Sequence, residues 1–311
     1  MGLLTRVLTG ALLVTVLVAC TAQEPGTPRM PRDGARALLG DLTTIDACGL
    51  TDPDVFAEFG EPDVSLGNSF SECIVSIDAK VSVFLGEIVW VGDRIDIVRT
   101  APDGLRIGAR NLGQDGCERL LMFDDDLGLL VNAWPLADEP SAPLCEIADA
   151  GVDHVAELVR SHRVPHHSYP ADSLGQVDAC ALVRGNPLYD QPNFASLHRF
   201  QQPQKHSCRW LGDRTGDRNV QLELSAGLPR DDSSGTEPEE FAGRPSYVYR
   251  NSDQDSSWCE VSTAHIPYES KVTANAVEQI DVTATGSADT PEETCNAAFA
   301  VAKVAWRNLP S

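Results

Sequence analysis

The chain has 311 residues, a formal net charge of -22 and nine cysteines. That length suits about two domains. So acidic a composition excludes nucleic acid, whose recognition needs a basic face, and electrostatic adhesion to anionic lipid. The acidity is heavier between Asp41 and His162 than after Ser173, and it reads as solvating surface charge.

Residues 1–19 read as a processing segment. Arg6 and the free amine form a short positive start, and Val7 to Val18 is apolar. This run falls short of the roughly 20 residues a helix needs to span about 30 Å of hydrocarbon. It closes on Leu17-Val18-Ala19-Cys20. The ending resembles the bacterial lipobox, in which a small residue precedes an invariant cysteine. The resemblance implies that Cys20 is diacylglycerol-modified, becomes the mature N-terminus, and holds the protein on the extracytoplasmic face of the cell membrane. Residues 20–37 are rich in Pro, Gly and Thr and read as a flexible tether.

Residues 38–162 read as a first α+β unit. It begins on Leu42–Leu50 (LTTIDACGL). Thr51-Asp52-Pro53-Asp54 predicts a short helix capped by Thr51, with Val55, Phe56 and Phe59 on its apolar side and Gly60 at its end. From Cys73 the pattern turns β-like: Ile74, Val75 and Ile77, then Val81, Val83 and Leu85. Ile88 to Val98 is a further apolar run. Cys117–Phe123 and Leu127–Trp134 predict two strands around a turn at Asp124-Asp125-Asp126. A closing helix carries Cys145, Ala148, Val152, Val155 and Val159 at helical spacing. Residues 163–172, with two prolines and no pattern, read as a linker.

Residues 173–311 read as a second unit on the same plan. Leu174–Leu182 (LGQVDACAL) repeats the opening motif as L-x-x-(I/V)-D-A-C-x-L. Cys180 precedes a loop, Cys208 stands before Trp210, and Gly212 to Gly216 is a turn. Val220, Leu222 and Leu224 alternate as a strand. Arg230 to Glu240 reads as an acidic loop. Strands follow at Tyr247–Tyr249, Cys259–Thr263 and Val277–Ala284, then a helix from Pro291 through Trp306. The expectation is two tandem homologous α+β domains, each a mainly antiparallel sheet with flanking helices and two disulfides.

With Cys20 acylated, an even eight cysteines remain for an exported disulfide framework. Four per unit allow three connectivities, and the sequence alone does not choose. The favoured pairing is sequential: Cys48 with Cys73, Cys117 with Cys145, Cys180 with Cys208, Cys259 with Cys295. It would pin each domain's entry segment to the sheet and fasten each closing helix to a strand.

Asp178-Ala-Cys180-Ala-Leu182, Cys208-Arg-Trp210, Cys259-Glu-Val261 and Cys295-Asn-Ala-Ala298 together resemble a domain-of-unknown-function family of actinobacterial cell-envelope lipoproteins. The first unit carries the pattern less fully, with Cys73-Ile-Val75 and Cys145-Glu-Ile-Ala148. More distantly, the plan looks like the extracellular sensor domains of actinobacterial receptor kinases. Neither resemblance supplies a reaction or a ligand.

No nucleophile elbow, phosphate loop, dinucleotide fingerprint or zinc-protease motif occurs. No CxxC or CxxH pair suits structural zinc. His166-His167 reads as a solvated pair in the linker. His154 and His162 would stand about 80° apart on the closing helix, which is no chelating pair. Asp124 to Asp126 lacks the alternating ligands of a calcium loop. Asp46 and Asp178, at equivalent places, read as acceptors for backbone amides. Trp210 and Trp258 read as packing against the bridges. The functional expectation is a non-enzymatic, lipid-anchored binding or sensing protein without metal or cofactor. Its partner would be a protein or an envelope small molecule, taken at an inter-domain groove or an exposed sheet face. An accessory or sensor subunit for an envelope kinase or transporter is the alternative, and a hydrolase with an atypical site the third reading.

Overall fold

The structure, a computed structural model, describes residues 34–92, 95–101, 104–110, 116–136, 143–212, 218–231 and 235–310. The processing segment, Cys20 and most of the Gly212–Gly216 turn lie outside the described residues. Alternating apolar residues build two seven-stranded antiparallel sheets. The first comprises β1 (Pro62–Leu66), β2 (Cys73–Ile77), β3 (Val81–Trp90), β4 (Asp96–Thr100), β5 (Arg106–Ala109), β6 (Cys117–Met122) and β7 (Leu127–Pro135). The second comprises β8 (His198–Gln201), β9 (Ser207–Leu211), β10 (Asn219–Gly227), β11 (Glu237–Phe241), β12 (Arg244–Ser252), β13 (Ser256–Pro267) and β14 (Val277–Ser287). Their spatial orders are β1-β2-β3-β7-β6-β5-β4 and β8-β9-β10-β14-β13-β12-β11, the same path through each sheet.

Each sheet buries one face under a long helix. Helix α2 (Leu144–Arg160) lays Ile147, Ala148, Val152, Val155 and Val159 on Val83, Leu121, Leu129 and Val131 of the first sheet. Two shorter helices, α1 (Ala35–Leu39) and α3 (Ala179–Leu182), precede the sheets, and α4 (Pro291–Ala305) closes the chain. Helix α4 buries Cys295, Ala298, Val301, Ala302 and Ala305 against Leu222, Val261, Ile280 and Val282. An ion-paired network adds to the first contact: Arg119 on β6 donates through Nε to Asp149 of α2 at 2.8 Å and through Nη2 at 3.1 Å. Disulfides join Cys48–Cys73, Cys117–Cys145, Cys180–Cys208 and Cys259–Cys295, consecutive cysteines each time. Both sheets fall within one compact unit.

Several local expectations give way to the structure. Helix α1 begins at Ala35, inside the stretch read as tether, because the Ala35 amide donates to Asp125 at 2.9 Å and Ala35 and Leu39 join the core. Asp125 thus serves the helix start as well as the turn. The helix expected after Thr51 is a single 3-10 turn, Pro53–Phe56, capped by Asp52. Proline at the first helical position makes its predecessor the cap. The apolar run Ile88–Val98 is divided: Ile88–Trp90 completes β3 and Asp96–Val98 opens β4. Cys180 sits inside α3, whose cap is Asp178, and the end of the expected acidic loop is β11. His162 lies beyond the end of α2 with φ 53°, so it shares no helix face with His154. Trp210 is buried near its bridge, but Trp258 is 46% exposed. Successive strand residues point to opposite faces, so the inward Cys259 turns its neighbour outward.

Candidate functional site

The segment read as a solvated linker is bound on both sides. Ile45 and His166 form an isolated antiparallel bridge. The Asp46 amide donates to the Pro165 carbonyl at 3.0 Å, and the His167 amide to the Thr44 carbonyl at 2.7 Å. The Thr44 hydroxyl lies 2.9 Å from His166 Nδ1. The His166-His167 pair is therefore held against the first repeat motif, and His167 is carried to the junction of the two sheets.

Phe70, from the loop before β2, crosses that junction. It is 6% exposed and belongs to the core of the second sheet. Its amide donates to the Leu224 carbonyl of β10 at 3.1 Å. Its ring meets Tyr169, His206 and Tyr268 at centroid distances of 5.6, 5.4 and 5.6 Å. Gln204, also buried, accepts from the Ile88 amide at 2.7 Å and donates to the Gly86 carbonyl at 3.1 Å. Gly86 sits where β3 bulges, at φ 114°, with Ala47 and Ser71 so close that a Cβ would lie 2.6 Å from the Ala47 methyl. Glycine is required there by both conformation and space.

A cleft of about 360 Å3 opens over Phe70, lined by both halves. Asp46, Gly49, Leu66, Glu72 and the loop Tyr268–Val272 all contribute to its lining. At its base His167 Nε2 lies 3.1 Å from Asp46 Oδ1 and 3.1 Å from the Tyr268 hydroxyl. Asp46 Oδ1 also accepts the Gly49 amide at 2.8 Å. Asp178 accepts the Ala181 amide at 3.2 Å, so both repeat aspartates satisfy backbone amides. Only Asp46 meets an imidazole as well.

The electrostatics follow from this packing. Burial alone would raise the Asp46 carboxyl, but the His167 contact, the Gly49 N–H and nearby Lys271 outweigh it and hold the group below its ordinary value. Burial raises Glu72, and the proximity of Glu87 adds to this. Burial, with Asp46 and Glu278 nearby, raises the Tyr268 phenol, which stays protonated. Packed against Phe70, His206 is buried and pushed down to about 4. Its neutral ring donates from Nε2 to the Gly175 carbonyl at 3.0 Å and accepts at Nδ1 from the Ser71 hydroxyl at 3.0 Å. Glu223 on β10 is pushed up to about 8 by burial, against the pull of Arg209.

The cleft therefore combines apolar Leu66, Ala226 and Val272 with the carboxyl groups of Asp46, Glu72 and Glu269, a lining suited to holding a small molecule. The imidazole in it is engaged by a carboxylate and a phenol. Among the described residues, no serine hydroxyl or thiol is bonded to His167, and no group of His, Cys, Asp and Glu is placed to hold a metal ion. No described helix is long and apolar enough to cross a membrane. The disulfide cysteines frame the site without lining most of it; Cys48 alone reaches the cleft wall. Phe70 and Tyr268 carried no sequence signal of their own. His167 and Asp46 stood out in the sequence, but as a solvated linker residue and an acceptor for backbone amides. The chain matches no family model, no curated protein and no solved structure.

Proposed function

We propose that this chain is an exported, lipid-anchored binding protein of the cell envelope. Cys20 holds it on the extracytoplasmic face of the membrane, and a cleft between two duplicated domains takes a small envelope molecule without converting it. The observation that carries this reading is the cleft over Phe70, to which both halves contribute walls. Duplication is supported by the repeated D-A-C motif and by the common strand path of the two sheets. Export is supported by the apolar N-terminal run ending in Cys20 and by the four disulfides, which persist in oxidising compartments. The cysteine framework's resemblance to envelope lipoproteins points to the same address.

Growth in labelled palmitate tests the anchor. Wild type should carry label and Cys20→Ala none; a Cys20→Ala protein that stays labelled refutes the anchor. Native mass spectrometry of protein released from membranes tests the cleft. Wild type should retain a small-molecule adduct, and Val272→Trp, which places a large ring at the partly exposed rim, should lose it. Wild type without an adduct, or an adduct indifferent to the rim, argues against the cleft.

A further inference from the structure

We propose that the cleft selects a ligand carrying a primary ammonium group beside an aromatic or aliphatic body. This rests on the cleft being a binding site and specifies the chemistry of its occupant. Asp46 directs Oδ1 to Gly49 and His167, at 2.8 and 3.1 Å. Its Oδ2 takes no hydrogen bond among the described residues, and Asp46 lines the cleft. Glu72, also in the lining, accepts from Asn68 at Oε1, and its other oxygen takes no hydrogen bond among the described residues. Glu269 adds a third carboxylate to the lining, against the single ammonium of Lys271.

Three physical terms then favour a cation. An anion entering the cleft would meet Asp46 and Glu72 at short range, and like charges juxtaposed in a binding site are strongly repelled. A neutral body would strip water from the carboxylate edges and return nothing, which is costly. An ammonium would give Asp46 Oδ2 a charge-assisted hydrogen bond and replace the lost water. Leu66, Ala226, Val272 and the half-buried Tyr268 line the same space and provide apolar contact for the body of the ligand. A volume of about 360 Å3 fits a small molecule.

Titration of the folded, disulfide-intact protein with phenethylammonium chloride, followed by NMR, tests the inference, with phenylacetate and 2-phenylethanol as charge controls. Phenethylammonium should shift Phe70 and Tyr268 resonances saturably, and the controls should bind at least tenfold more weakly, as expected for losing a charge-assisted hydrogen bond of about 1.5 kcal/mol or more. Asp46→Asn preserves the acceptor for Gly49 and should weaken binding by a similar factor, about tenfold. Glu72→Gln, elsewhere in the lining, should weaken it independently. Phenylacetate or 2-phenylethanol binding the cleft as well as the ammonium would overturn the ligand class while leaving the cleft reading intact. Failure of all three probes to shift the cleft would also overturn the ligand class, whereas the cleft reading stands or falls on the retained adduct and its response to Val272→Trp.

Discussion

His206 and Glu223 are buried in the same junction and respond to opposite ends of the pH scale. For His206 the folded value of about 4 lies below the ordinary 6.5. Between those values the unfolded chain binds more protons, so stability is complete above 6.5 and drains away as pH falls towards 4. For Glu223 the folded value of about 8 lies above the ordinary 4.5. There the folded chain holds the extra proton, so stability is complete below 4.5 and is lost as pH rises through 8. Melting temperatures across this range should therefore fall on both sides. Glu223→Gln, which keeps the shape and neutrality, should flatten the alkaline limb and leave the acid limb in place. An unchanged alkaline limb would remove Glu223 from the account. Gly86 is a sharper test of local geometry. Its positive φ and its contact with Ala47 predict that Gly86→Ala costs about 2–4 kcal/mol in urea denaturation. A neutral result would mean that the bulge relaxes freely.

Elements were legible in proportion to how one-sided their burial is. Helix α2 shows clean periodicity because one face meets the core, and the β6–β7 hairpin shows as two apolar runs about an acidic turn; both lie close to their expected bounds. Strands β4, β8 and β11 are sheet edges with mostly exposed residues. With little burial on either face, no alternation marked them. The division of Ile88–Val98 was hidden for a related reason: apolar composition does not show where hydrogen bonding stops, and the register shift near Gly86 lies between Leu85 and Ile88. The cysteines were the most informative residues, since chain order and parity alone suggested bridges. The Cys117–Cys145 bridge and the Arg119–Asp149 pair both fix α2 to β6. Replacing both cysteines by alanine should lower stability by about 3–4 kcal/mol on chain entropy for a loop of 28 residues. A shift confined to α2 in hydrogen exchange would show that the bridge secures that helix locally.

At the scale of the whole molecule, the site arises where the two sheets meet, and that meeting was not written in any local pattern. His166-His167 looked solvated because a linker without periodicity carries no burial signal, yet it pairs with Thr44, Ile45 and Asp46. Phe70 stands in a loop without pattern, yet it completes the other half's core. Such contacts depend on tertiary docking, which a single sequence does not encode as spacing. Phe70→Ala should cost about 3–5 kcal/mol by opening a cavity. Because the cost falls on the junction, calorimetry should resolve two transitions where wild type gives one. A single, uniformly lowered transition would show that the halves are coupled chiefly elsewhere, through Gln204 and the Glu87–Arg209 pair.

The central claim is that the cleft between the halves is occupied in the envelope by a small molecule. In-cell photocrosslinking from a benzophenone side chain at position 272, on the cleft rim, addresses it most directly. A matching probe at position 98, on the exposed edge strand β4, serves as the control. The account predicts a low-mass adduct at 272 that is absent at 98 and is reduced by Asp46→Asn. No adduct at 272, or an equal one at 98, would contradict it.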